Sequence, residues 1–200
     1  MASRVRISVG DLSKTFRQGA REVPAVSAVS LDVHEREFVA IVGPSGCGKS
    51  TVLNMIGGLI PPSAGEILVD GQPVLGAPPA TVGYVFQKDT VFPWRTVERN
   101  IALGLGYRKL PAAQRVARVR EAIALAGLQG FEDAYPATLS GGMRQRVALM
   151  RSLVIDPEIL LMDEPFGALD THTKLNLHSE LLRLWQAKQH IGSEVVNRPG

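Results

Sequence analysis

Gly43-Pro44-Ser45-Gly46-Cys47-Gly48-Lys49-Ser50-Thr51 is the stretch that decides how this 200-residue chain is read. It matches G-x-x-x-x-G-K-[ST], the phosphate-binding P-loop. Before it, Phe38-Val39-Ala40-Ile41-Val42 is a short apolar run of the kind that forms a buried parallel strand. After it, Val52, Leu53, Met55, Ile56, Leu59 and Ile60 predict a largely buried helix over Thr51 to Ile60, stopped by Pro61-Pro62. Glycines let the backbone curl until successive N–H groups converge on one anion, and the following helix adds the positive end of its dipole. Lys49 can reach the β- and γ-phosphates, and the Ser50 hydroxyl can ligate Mg²⁺. The motif therefore predicts a bound nucleoside triphosphate, without saying what its energy drives.

The composition narrows the classes. An apolar fraction of 45% is that of an ordinary globular chain with a real core. No stretch approaches the roughly 18 apolar residues that a membrane-crossing helix needs. Met1 to Gly10 alternates polar and apolar residues and lacks the apolar run of a signal peptide. The expected place is the cytosol, or a membrane surface reached through a partner. A net charge of +3 permits contact with an acidic surface but does not argue for nucleic acid. The single cysteine, Cys47, excludes an internal disulfide and a cysteine zinc cluster, and reads as an alkylatable bystander.

In chain order, Val5, Ile7 and Val9 open a strand, and Val29, Leu31 and Val33 a second, antiparallel one, across a polar loop containing Gly19 and Pro24. Phe16 ends the first strand and on its own reads as readily as a core aromatic. Glu66 to Val69 is a strand, Asp70-Gly71 a hairpin turn into Gln72-Pro73-Val74, and Val82 to Phe86 another strand ending on Gln87. Phe92-Pro93-Trp94 is an exposed aromatic cluster, followed by the N-cap Thr96 and a helical face of Val97, Ile101 and Leu105. Pro111 to Leu128 is helical, with Val116, Val119, Ile123 and Ala126 on one face. Arg115, Arg118 and Arg120 lie elsewhere and form a solvated face, not a nucleic-acid patch. Ser140 caps a helix over Met143 to Val154. Ile159-Leu160-Leu161-Met162 is an apolar strand closed by Asp163-Glu164-Pro165, and a helix is expected from about Thr171 to Ala187.

The chemistry follows from placement. Carboxylates at the end of a buried strand are costly unless they serve a cation or a water. Asp163 is placed to hold the triphosphate's Mg²⁺, as a Walker B aspartate. Strand neighbours point to opposite sides, so Glu164 is better placed as the general base for the attacking water. Ser140-Gly141-Gly142 is a second helix N-terminus stripped of side chains, able to offer N–H groups to an anion. Two phosphate-binding helix ends with a single lysine and a single Walker B suggest a site shared between two chains.

With the P-loop, Gln87, Leu139-Ser140-Gly141-Gly142-Met143-Arg144-Gln145-Arg146 and Leu161-Met162-Asp163-Glu164-Pro165 in this order, the sequence resembles the ATP-binding subunit of an ABC transporter. The resemblance covers about Arg4 to Gln186. It implies an α/β fold: a P-loop NTPase (RecA-like) core, an antiparallel β-subdomain and an α-helical ABC subdomain at about 88–152, all in one ATP-binding domain over 1–200. It also implies ATP and Mg²⁺ as cofactors, held by Phe16 on adenine and by Gly43, Pro44, Ser45, Gly46, Cys47, Gly48, Lys49, Ser50 and Thr51 on the phosphates. Ser50, Gln87 and Asp163 would serve the metal, and Glu164, Lys49 and Gln87 catalysis. Ser140, Gly141 and Gly142 of a second, identical subunit would close over the γ-phosphate, and Asp170 would lie across that dimer.

Phe92-Pro93-Trp94-Arg95-Thr96-Val97 with Asn100 is similar to a segment of the nitrate, sulfonate and taurine importer ATPases, as are Tyr135-Pro136 and Phe166-Gly167-Ala168-Leu169-Asp170. The resemblance implies a transmembrane permease docking near Gln87 and Phe92–Trp94, an indirect link to a substrate-binding protein, and a peripheral place on the cytoplasmic face of the inner membrane. One departure stands out. After Ala187 the sequence shows no apolar strand and no Thr-His-Asp segment, and the slot of the family's histidine falls near Asn197, with His190 too early. The expectation is a core lacking its C-terminal part after about 187, from a frameshifted or truncated gene or with the rest supplied elsewhere, that binds ATP but hydrolyses it poorly. The alternatives are a non-catalytic remnant and a soluble, non-transport ABC-type ATPase; the short, heptad-free segment from Gln87 to Ser140 weighs against the latter.

Overall fold

The computed structural model describes residues 3–88, 90–108, 110–164 and 194–199. Among these, 3–84, 158–164 and 194–199 form one compact unit, and 85–88, 90–108 and 110–157 a second. The first unit contains, in chain order, β1 (Val5–Gln18), β2 (Arg21–His34), β3 (Phe38–Gly43), α1 (Lys49–Ile56), β4 (Ala64–Val69), β5 (Gln72–Pro73), β6 (Val82–Val85), β7 (Ile159–Asp163) and β8 (Glu194–Pro199).

One sheet is antiparallel, in the order β2-β1-β4-β5. The polar loop expected around Pro24 is instead strand: β1 and β2 run as one long hairpin turned at Gly19-Ala20, and Pro24 pairs with Thr15. Proline is tolerated there because β2 is an edge strand, which needs no second donor. The Asp70-Gly71 turn has both residues at positive φ, 52° and 75°, as a two-residue hairpin requires.

The second sheet has the order β3-β8-β7-β6, with β8 parallel to both neighbours. This corrects the expectation that no strand follows Ala187. Glu194–Pro199 lies between the P-loop strand and β7, and Asn197 is level with both Ile41 and Asp163. Its two valines and a proline make a weak pattern locally, but ladder bonds on both sides supply what the pattern lacks. β7 is buried along its whole length, as a strand covered on both faces should be.

The predicted P-loop helix stops short of Ile60. α1 ends at Ile56 because Gly57-Gly58 turns the chain, Gly58 with φ of 69°. A Cβ on Gly58 would collide with the Ala77 carbonyl. Val52, Leu53, Met55 and Ile56 of α1 join Ile7, Leu12, Val33, Ile67, Ile159 and Leu161 in one core. The Tyr84 ring of β6 packs close against Gly57, and its hydroxyl donates to Asn54 Oδ1 at 2.8 Å. Arg6 of β1 is 6% exposed; its guanidinium meets Asp70 at 2.7 Å and Glu158 at 2.7 Å. The Nε–Asp70 contact is an ion pair without hydrogen-bond alignment, so Nη2, at 3.1 Å from Asp70 Oδ2, carries the directed bond.

The second unit is helical: α2 (Val97–Ile101), α3 (Ala112–Leu125) and α4 (Gly141–Leu153), with 3₁₀ turns at Ala102–Tyr107 and Pro136–Thr138. Thr96 and Ser140 are the N-caps expected of them, accepting from the N–H groups of Arg99 and Met143. The face of Val97, Ile101 and Leu105 is fully buried. On α3 the buried residues are Val119, Ala122 and Ile123, with Ala126 just beyond; Val116, expected among them, is 43% exposed. Arg146 caps the end of α3 by donating to the Ala126 carbonyl at 2.6 Å.

Two outcomes test this packing. Asp70→Asn leaves the buried Arg6 charge half-paired and should lower the unfolding free energy by about 3 kcal/mol in urea melts, whereas Glu158→Gln, 57% exposed, should cost under about 1 kcal/mol. Burial, with the negative charge of Asp163 adding to it, pushes the Tyr84 hydroxyl far above its ordinary 10.0. The folded protein then keeps a proton that the unfolded chain releases, so stability falls as pH rises through 10, by up to about 1.4 kcal/mol per unit. Tyr84→Phe should abolish that alkaline slope, read from melts between pH 9 and 11.

Candidate functional site

The glycine-rich loop joins β3 to α1 and lies close against β2. Gly46 and Gly48 have φ of 82° and 98°, and a Cβ on Gly48 would strike the Ala25 carbonyl oxygen. Only glycine meets both the backbone conformation and the close approach. Ser45, Gly46 and Cys47 are exposed at the loop's outer turn, while Thr51 is half-buried within α1. Lys49 is 6% exposed, and its ammonium donates to the Gly43 and Pro44 carbonyls at 2.8 and 2.9 Å. The loop thus folds around its own lysine, with the N-terminus of α1 beside it.

Asp163 ends β7 and is 6% exposed. Its Oδ1 accepts from the Ser50 hydroxyl at 2.9 Å, across 113 residues of sequence. The two metal-ligating candidates of the first unit are therefore in direct contact. Among the described residues there is no group of three or more His, Cys, Asp and Glu that could hold a metal. A hydroxyl and one carboxylate are hard oxygen donors too few to enclose an ion, a set that suits Mg²⁺ sharing its shell with phosphate and water. Gly57 lets Tyr84 close over α1 near this carboxylate, a neighbour that no motif announces.

Glu164 follows at φ of 45° and is half-buried. It stands in a left-handed bend one residue past the end of β7. That conformation is uncommon for a residue with a Cβ and is often found where a side chain must be aimed. Phe16 stands on β1 at 38% exposure, with the Lys14 ammonium 5.3 Å from its ring centroid. Lys14 is itself held by the Pro61 carbonyl at 2.6 Å. One face of the ring is occupied by a cation.

The remaining candidates belong to the second unit. Ser140 caps α4, and Gly141 and Gly142 open this 13-residue helix without side chains of their own, with the Arg144 guanidinium folded back beside Gly141 to donate to the Leu139 carbonyl at 2.9 Å. Gln87 follows β6, on an exposed stretch. The aromatic segment is locked from within. Asn100, fully buried, accepts from the Phe92 N–H at 2.8 Å and donates to the carbonyls of Phe92, Arg95 and Thr96 at 2.9 to 3.1 Å. Trp94 is held out at 69% exposure, its ring centroid 5.4 Å from that of Phe92 and tilted 57°. The spacing from Phe92 to Asn100 in the sequence is thus the spacing of a clamp. Arg151 of α4, which belongs to no motif, lies over the Phe92 ring, and burial lowers its pKa. Asp170 and His190 lie outside the described residues.

Residues 26–167 match the ABC transporter family. An uncharacterized ABC transporter ATP-binding protein of Methanocaldococcus jannaschii is 48% identical over 186 residues, 93% of this chain and 69% of the relative. The taurine import ATP-binding protein TauB of Rhizobium johnstonii is 50% identical over 165 residues, 82% of this chain and 63% of the relative. The chain thus spans about two thirds of the length of these relatives. Among solved structures, a dimeric, post-hydrolysis ATP-binding cassette bound to ADP and phosphate superposes with a TM-score of 0.84 at 33% identity, covering 96% of this chain and 87% of that one. The fold is accordingly the P-loop NTPase cassette, with its antiparallel β-subdomain and helical part. With a match over most of its length and the P-loop serine bonded to the Walker B aspartate, the chain belongs to the ABC transporter family.

Proposed function

We propose that this chain is the ATP-binding and ATP-hydrolysing subunit of an importer for small anions of the taurine and sulfonate type. The observation that carries the reading is the 2.9 Å bond between Ser50 and Asp163, which unites the phosphate loop and the acidic strand end in one site. The likeness to a taurine import ATP-binding protein supports the substrate class.

In this reading the loop from Gly43 to Thr51 wraps the phosphates with its N–H groups, and Lys49 turns its ammonium to the β- and γ-oxygens. Ser50, Asp163 and Gln87 would hold Mg²⁺, which would supply positive charge against the phosphate oxygens. Glu164 takes the proton of the attacking water. Phe16 stacks on adenine with the face that Lys14 leaves free. A second copy of the chain brings its Ser140, Gly141 and Gly142 over the γ-phosphate, a role supported by the two glycines that open α4 and by the dimeric cassette it resembles. No helix among the described residues is long and apolar enough to cross a membrane. A permease supplies the span, docking at Gln87 and Phe92–Trp94, and keeps the subunit on the cytoplasmic face, with a substrate-binding protein beyond it. The domain covers 1–200 with its helical part at about 88–152.

Purified chain should hydrolyse MgATP, and Glu164→Gln should lower kcat by about 10³-fold while ATP affinity stays within about twofold. Unchanged turnover in Glu164→Gln would overturn the assignment of the base. Trp94→Ala should reduce the salt-washed membrane-bound fraction of the chain in its host at least about fivefold, as loss of an aromatic anchor does. Deletion of the gene should abolish uptake of labelled taurine; undiminished uptake would remove the substrate class.

A further inference from the structure

Two side chains grip the segment that presents Trp94, and they come from different helices. Asn100 holds it from α2, as described. The second grip is Arg151, in the last turn of α4. Its Nη1 donates to the Thr90 carbonyl at 2.8 Å, its Nη2 to the Thr90 hydroxyl at 2.5 Å, and its guanidinium carbon lies 5.2 Å from the Phe92 ring centroid. A planar fork that binds two acceptors and covers a ring fixes direction as well as distance, which a lysine would not do. Phe92 in turn contacts Trp94. A continuous path therefore runs from an exposed tryptophan, through Phe92 and Arg151, into α4.

The other end of that helix is Ser140-Gly141-Gly142. A 13-residue helix is a stiff rod of roughly 20 Å. A further close contact holds its C-terminal end: a Cβ on Gly104 would collide with Ile155, so the turn after α2 packs tightly on the residues that follow α4. From this we infer that Arg151 is a positioning residue that makes the Trp94 surface and the Ser140–Gly142 helix end move as one body. Displacement at either end is passed to the other. The inference rests on the reading of Phe92–Trp94 as the docking surface and of Ser140–Gly142 as a phosphate-binding helix end.

The chain has two tryptophans, so Trp185→Phe leaves Trp94 as the sole reporter. In that background, adding the non-hydrolysable analogue Mg-AMP-PNP should shift Trp94 emission along the nucleotide-binding curve. Arg151→Met keeps an apolar stem and removes the fork. It should bind Mg-AMP-PNP within about twofold of the parent and lose at least about four fifths of the emission change. Thr90→Val, a surface change that removes only the hydroxyl acceptor, should lose about half and keeps the test open should Arg151→Met fold poorly. In an Arg151→Met background, Thr90→Val should add nothing, because both belong to one link. A full emission change in Arg151→Met, or in Thr90→Val where the former does not fold, overturns the inference, as does a parent that shows no change. A Trp94→Ala chain that still binds membranes fully would instead sink the docking reading, a separate result.

Discussion

The site depends on a carboxylate kept almost out of water. Asp163, 6% exposed at the end of a fully buried strand, is the kind of group whose desolvation costs several kcal/mol unless its charge is met. The Ser50 hydroxyl supplies one directed bond at 2.9 Å. That bond also ties the first turn of α1 to the end of β7, so the phosphate loop and the acidic strand end are referenced to each other and not merely to the fold. The same charge reaches Tyr84, raising the cost of ionising a phenol already desolvated beside α1. A negative group in a dry setting is what a hard cation with two protein ligands and a triphosphate would complete.

The parallel sheet is what holds that carboxylate in place. β8 lies between β3 and β7 and bonds to both, so the strand that leads into the phosphate loop and the strand that ends on Asp163 share one partner. Asn197, level with Ile41 on one side and Asp163 on the other, stands in the row where the site is built. The order β3-β8-β7-β6 thus sets the distance between loop and carboxylate through backbone geometry alone.

The helical unit uses a different device. It has few residues with which to hold an exposed aromatic steady, and it does so with polar side chains turned inward. Asn100 satisfies its amide entirely on the backbone of Phe92 to Thr96, and the Thr96 side chain caps the helix that carries Asn100. Each bond contributes about 1 kcal/mol, yet leaving either partner buried and unmet would cost more. An exposed surface is made rigid in this way without being made larger, which would lower the ordering cost of binding there.

The sequence by itself determined the local pieces: the glycine pattern of the phosphate loop, the caps at Thr96 and Ser140, the Asp70-Gly71 turn and the apolar run before Asp163. Each is legible because the cause lies within a few residues, in a φ that only glycine adopts freely or a side chain that bonds three positions on. Tertiary structure decided the rest. Nothing local in Glu194–Pro199 marks it as a strand between two others, since its bonds come from residues more than 30 positions away. Pro24 is strand only because β2 is an edge, and Glu164 takes a left-handed bend that no local pattern announces. The contact of Ser50 with Asp163 and the grip of Arg151 on Thr90 and Phe92 likewise join segments far apart in the chain, where burial and direction are properties of the packed fold and not of any stretch of sequence.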